Sequence, residues 1–239
     1  IDKNLDVCGS TALMFGNMQN KIIPILENHE DISFMMIFGN PIINPSTMSK
    51  SSVFKKFKWN ENYISADFDV YSRIIQNNFK LGNVKKPLIF SRVHKNQDSS
   101  LNFSKGINDS YLISLSHYQF YNIKKINKFY FEKIKFGYKT CIQVNEYIRS
   151  MLLIIMLIKE KNLNFQILNQ INISLIQKVK LSLNEFFFLI YFFKKNKIKV
   201  PLRHKCVLFL RSIFKIDYNH KIFFYLKKIN DFLLYLIKK

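Results

Sequence analysis

Glycine is scarce in this sequence, with six in 239 residues. No glycine-rich loop of the kind that cradles nucleotide phosphates can be found, and neither can a Gly-x-Ser-x-Gly elbow or a His-Glu-x-x-His helix. Three cysteines, Cys8, Cys141 and Cys206, lie far apart with no Cys-x-x-Cys pair. That spacing argues against a disulfide framework or a structural zinc site and fits a reducing compartment. Long apolar runs are missing too. The longest, Met151–Ile158 and Phe186–Phe193, fall well short of the ~20 residues that cross a bilayer, so no spanning helix is expected. Acidic residues number 16 against 37 Lys and Arg, a formal charge of +21. No charged leader followed by an apolar stretch and a small-residue cleavage site opens the chain. It begins at Ile1 and is expected to continue a longer polypeptide.

The positive charge is uneven. Residues 1–105 hold 13 basic against 9 acidic side chains, and residues 106–239 hold 24 against 7. This divides the chain into two expected domains, 1–105 and 106–239. A strongly basic second half points to an anionic partner, either membrane lipid or nucleic acid. A second explanation competes evenly, because Lys, Asn, Ile and Phe abound together as they do in proteins encoded by A- and T-rich genomes.

In the first half, residues 5–11 read as a short buried strand ended by a glycine turn. Asn28–Phe38 reads as a helix stopped by Gly39, and Ser51–Phe57 as a short basic helix before the single tryptophan, Trp59. Val70, Tyr71, Ile74 and Ile75 recur at helical spacing, with Asp69 as the expected N-cap. Val84–Val93 reads as a strand with a kink or edge at Pro87.

Three segments stand out in order: Asn40-Pro-Ile-Ile-Asn-Pro-Ser-Thr-Met48, Ile64-Ser-Ala-Asp-Phe-Asp-Val-Tyr-Ser-Arg73 and Phe90-Ser-Arg-Val-His94. Their order and spacing resemble the second half of the catalytic domain in family 2 glycosyltransferases, the enzymes that build bacterial surface polysaccharides. In that family an Asn-Pro-Ile-x-His-Pro-Thr-x-Met-like segment precedes a Glu-Asp-Tyr-Asp-Leu-Trp-x-Arg-like one, and a Tyr-Arg-x-His segment follows. Here Asn44 stands at the His position, Ala66 at the Glu, Phe68 and Tyr71 at the aromatics, and Ser91 at the Tyr. The resemblance covers about residues 1–105. It implies a mixed α/β fold, part of a glycosyltransferase A-type domain, followed by an α-helical C-terminal region.

What the resemblance implies chemically is a sugar moved, with inversion, from a nucleotide-sugar donor to a glycan or lipid-linked acceptor. Asp67 would be the general base. Asn44 and Asp69 would face the acceptor, while Arg92 and His94 would attend the donor diphosphate or its divalent metal, Mg or Mn, whose main ligands would lie upstream of Ile1. Read without the resemblance, Asp67 and Asp69 are a turn residue and a cap, and Arg92 is as well suited to a salt bridge with either. His29, His117, His204 and His220 show no ligand spacing and read as ordinary surface or core residues.

Beyond about Asn108 helical periodicity takes over, with helices expected over residues 140–161, 163–180, 181–195 and 219–237. In the last, Ile222, Tyr225, Leu226, Ile229, Phe232, Leu233 and Leu236 share a face, flanked by Lys221, Lys227 and Lys228. Such stripes build a helical core. They also suit peripheral contact with an anionic membrane, here the inner face of the cytoplasmic membrane. The rivals are a basic helical nucleic-acid-binding protein, suggested by the alternating lysines and aromatics of residues 124–136, and a non-catalytic remnant.

Overall fold

A computed structural model describes residues 4–16, 21–94, 97, 101–123, 126–136, 142–176 and 179–214. The chain divides into two compact units, Ile1–Ile123 and Lys124–Lys239. The boundary expected at 105/106 would cut a continuous helix, Phe103–Tyr121, which packs with the first unit.

The first unit is mixed α and β. Its central strand β1, Val7–Gly16, pairs in parallel along its whole length with β4, Leu81–Val93. The other edge of β1 takes two short antiparallel strands, β2, Lys21–Ile22, and β3, Met48–Ser49. The expected stop at Gly9 does not occur, because glycine there serves a close approach and not a turn. A Cβ on Gly9 would lie 2.4 Å from Asn83 Oδ1. Register along β4 slips twice, between Ser10↔Val84 and Thr11↔Pro87 and again before Ala12↔Ile89. Pro87 has no N–H to give a ladder, so the strand bulges there.

Helices follow, the first of them packed against β4. Helix α1, His29–Met35, buries Ile32 and Phe34. After a single 3-10 turn at Asn44–Ser46 come α2, Ser51–Lys56, and α3, Ala66–Gln76. Phe68, Val70, Tyr71, Ile74 and Ile75 form the buried face of α3 at the expected spacing. Helix α4, Phe103–Tyr121, lies on α3 and opens the stretch expected to be helical from about Asn108; its buried positions include Asp109, Ser114 and His117. Asp109 Oδ2 accepts the Ile64 N–H at 2.7 Å, fixing the chain just before α3.

The second unit is helical: α5 (Lys128–Phe136), α6 (Val144–Glu160), α7 (Gln166–Ile176), α8 (Leu183–Lys195) and α9 (Leu202–Phe214), with one parallel pair between β5 (Ile142–Gln143) and β6 (Val179–Lys180). Met151, Ile154, Ile167, Ile171, Leu189 and Phe193 supply its core. Among the described residues no helix is long and apolar enough to cross a membrane. The helix expected at 219–237 lies outside the described residues.

Candidate functional site

The start of α3 sets the geometry of the site. Ser65 is the N-cap and Ala66 the first helical residue, so Asp67 sits in the first turn. The expectation that Asp69 caps the helix is not met, because the helix begins one turn-start earlier. Asp69 is buried, and its Oδ2 accepts from Arg73 Nε at 2.9 Å and from an Arg73 terminal nitrogen at 2.7 Å. That guanidinium also donates to the Lys58 carbonyl at 2.7 Å. The Asp69 carboxylate is therefore engaged inside the fold, and its partner is Arg73, not Arg92.

Asp67 is held differently. Its Oδ1 accepts the Phe68 N–H at 2.8 Å and its Oδ2 accepts from Asn40 Nδ2 at 3.1 Å. The same Asn40 accepts the Ile42 N–H on its Oδ1 at 3.0 Å, so one amide both shapes the Asn-Pro loop and anchors the carboxylate. Burial raises the Asp67 carboxyl above the ordinary aspartate value, against the lowering effect of these hydrogen bonds. The positive end of α3 also favours the anion, but loss of water dominates.

Around this carboxylate the 3-10 turn and α3 bring several hydroxyl and amide groups together. Tyr71 is fully buried and its hydroxyl donates to Asn44 Oδ1 at 2.7 Å. Thr47 Oγ1 lies 3.0 Å from the same hydroxyl and donates to the Asn44 carbonyl at 2.8 Å. Burial pushes the Tyr71 phenol up to about 12, with the nearby Asp67 charge adding to it, so Tyr71 stays a proton donor at neutral pH. An amide cannot take a proton there and neither can a threonine hydroxyl. Asp67 is the one group of this cluster able to act as a base.

Asn83 borders the cluster. Its Nδ2 donates to the Leu26 carbonyl at 2.7 Å and reaches the Pro41 carbonyl at 3.4 Å. Its Oδ1 is buried without a hydrogen-bond partner.

Two of the three sequence segments thus meet, and the third does not join them. Arg92 and His94 are exposed, and His94 lies just past the last residue of β4. Asn83 faces Gly9 across the sheet while Arg92 faces Phe15, six residues farther along β1, or about 20 Å of extended chain. Neither Arg92 nor His94 is brought to Asp67. Among the described residues no group of three or more His, Cys, Asp and Glu side chains is placed to hold a metal ion.

The hydrogen bonds made by Asn40, Thr47 and Tyr71 are not visible in the sequence, although all three residues lie inside the segments singled out. His117, expected as an ordinary surface or core residue, is fully buried. His117 Nε2 donates to the Ser33 carbonyl at 2.9 Å, and its Nδ1 accepts from Ser72 Oγ at 3.0 Å. A histidine surrounded by serines in sequence gives no hint of this, because its partners are 45 and 84 residues away.

No family model, curated protein or solved structure matches this chain.

Proposed function

We propose that the first unit carries the acceptor side of a glycosyl-transfer site, with Asp67 as general base. The observation that supports this reading is a half-buried carboxylate of raised pKa in a cluster whose other members give or accept hydrogen bonds but do not titrate near neutral pH. An acceptor sugar hydroxyl would give its proton to Asp67 as its oxygen attacks the anomeric carbon of a nucleotide-sugar donor. The bond from that carbon to the diphosphate breaks, and the nucleoside diphosphate leaves. Attack from the face opposite the leaving group inverts the anomeric centre. In this reading Asn44, whose Oδ1 accepts from Tyr71, would orient the acceptor through its side-chain amide. No step is assigned to a metal, to Asp69 or to Arg92 and His94.

The test is Asp67→Asn in the longest natural polypeptide that carries this chain. Positioned proton transfer is worth ~10² to 10⁴ in rate. The variant should lose transfer by about that factor while nucleotide-sugar binding, followed by calorimetry, is kept. Unchanged turnover removes Asp67 from the mechanism.

A further inference from the structure

Helix α8 divides its residues between two faces. Phe186, Leu189, Phe192 and Phe193 are buried, whereas Phe187, Phe188 and Tyr191 are each more than half exposed, at 58%, 54% and 59%. At 3.6 residues per turn the exposed aromatics fall within an arc of about 100°. Lys194 and Lys195 extend the same face, and both are exposed. Exposed Lys197 and Lys199 follow directly, alternating with buried Ile198 and Val200. The only acid of the helix, Glu185, is tied into the capping box at its start, where it accepts the Ser182 N–H at 2.7 Å.

We infer that this face is a docking surface for an anionic lipid bilayer, with the helix lying in the plane of the interface. Three large aromatics in one arc cost free energy in water and suit the boundary between headgroups and acyl chains. The four lysines at one end, with no free acid among them, fit a negatively charged surface. Nucleic acid fits less well: phosphates would meet the lysines, but three contiguous apolar rings on a rigid helix offer a patch and not a groove that follows a strand. The inference stands apart from the glycosyl-transfer reading, because it rests on the second unit alone and is tested without turnover.

The experiment uses the full chain with vesicles of phosphatidylcholine alone or with one third phosphatidylglycerol. Co-sedimentation should be strong with the anionic vesicles and weak with the neutral ones. Replacing all three aromatics (F187S, F188S, Y191S) should lower partition at least tenfold while far-UV circular dichroism stays the same, since these side chains are exposed. Lys194→Gln with Lys195→Gln should weaken anionic binding roughly twenty-five-fold, about fivefold for each charge. A separate Phe188→Trp variant, read as its difference from wild type so that the Trp59 signal cancels, reports insertion at this site by a blue shift and by quenching from brominated lipid. Absence of quenching in vesicle-bound protein overturns the assignment, and so does wild-type binding by the folded triple variant. A dimer in sedimentation equilibrium that the triple variant abolishes names a second copy as the occupant instead. Single-stranded DNA binding lost in the same variants, without vesicle binding, names nucleic acid.

Discussion

Acidification should weaken the first unit through His117, and the size of the effect follows from where that ring sits. Its Nε2–H is committed to the Ser33 carbonyl on α1. Its Nδ1 lone pair accepts from Ser72 on α3, with Gln76 Nε2 at 3.4 Å. Protonating Nδ1 would turn that acceptor into a second donor facing a hydroxyl that already accepts from Gln76, inside a buried site. Burial accordingly lowers the His117 pKa from 6.5 to about 4. A depressed folded-state value means that the unfolded chain binds the proton first. The stability from neutral His117 is thus complete above 6.5 and is lost as pH falls toward 4. Between pH 7 and pH 5 the loss is about 2 kcal/mol, and the limiting value is about 3 kcal/mol. Urea titrations followed by fluorescence can read this directly, because the single tryptophan, Trp59, belongs to the first unit. His117→Gln keeps a donor for the Ser33 carbonyl but does not titrate. It should be about 1 kcal/mol less stable than wild type at pH 7 and should show about 2 kcal/mol less loss on going to pH 5. His29 is also lowered by burial and adds equally to both proteins, so the comparison isolates His117. Parallel pH dependences in the two proteins would refute the argument.

Further expectations concern the loop and the sheet. Asn40→Ala removes the amide that holds Asp67 toward its ionised form, so the Asp67 pKa rises further; because the base works ionised, the acidic limb of the rate profile should move to higher pH, and a limb that stays put would identify another titrating group. Gly9→Ala places a methyl 2.4 Å from Asn83 Oδ1. The Asn83 amide is pinned to Leu26, so relief requires the strands to shift, at a cost of about 1–3 kcal/mol measurable as a lowered urea midpoint.

Local pattern made much of the secondary structure legible. The run Val84–Val93 marks β4, with Pro87 at its irregularity, and 3.6-residue spacing marks α1, α3, α6 and α8 within a few residues. What escaped was tertiary. Asp69 carries the usual signature of a cap, yet the helix starts at Ala66 because the Asp109 carboxylate fixes Ile64 from a helix about forty residues on, leaving Asp69 for Arg73. The bounds of helix α4 are not legible because its buried positions include Asp109, Ser114 and His117, polar groups that blur an apolar stripe. Resemblance alone singles out Asp67, and the groups that hold its carboxylate cannot be read from the sequence. That Asn40 grips the carboxylate, and that Tyr71 reaches back to Asn44, depends on how the Asn-Pro loop packs against α3.

The two halves of the chemistry suggested by the sequence make unequal use of this fold. In a displacement of the kind proposed, base, hydroxyl, anomeric carbon and departing phosphate oxygen follow one another at near-attack separations of about 3–3.5 Å. Groups that neutralise the phosphate must therefore stand close to the base. Arg92 lies about 20 Å farther along the sheet from the Asn83 end where Asp67 is held, and His94 lies beyond it. On this geometry Arg92→Ala and His94→Ala should each leave transfer within about threefold of wild type, against a loss of ~10² or more for Asp67→Asn. A hundredfold loss from either would require the outer half of β4, which is exposed from Val84 to Leu88, to fold back over the α3 entrance when the donor binds. It would then be the donor, and not the chain by itself, that assembles the site.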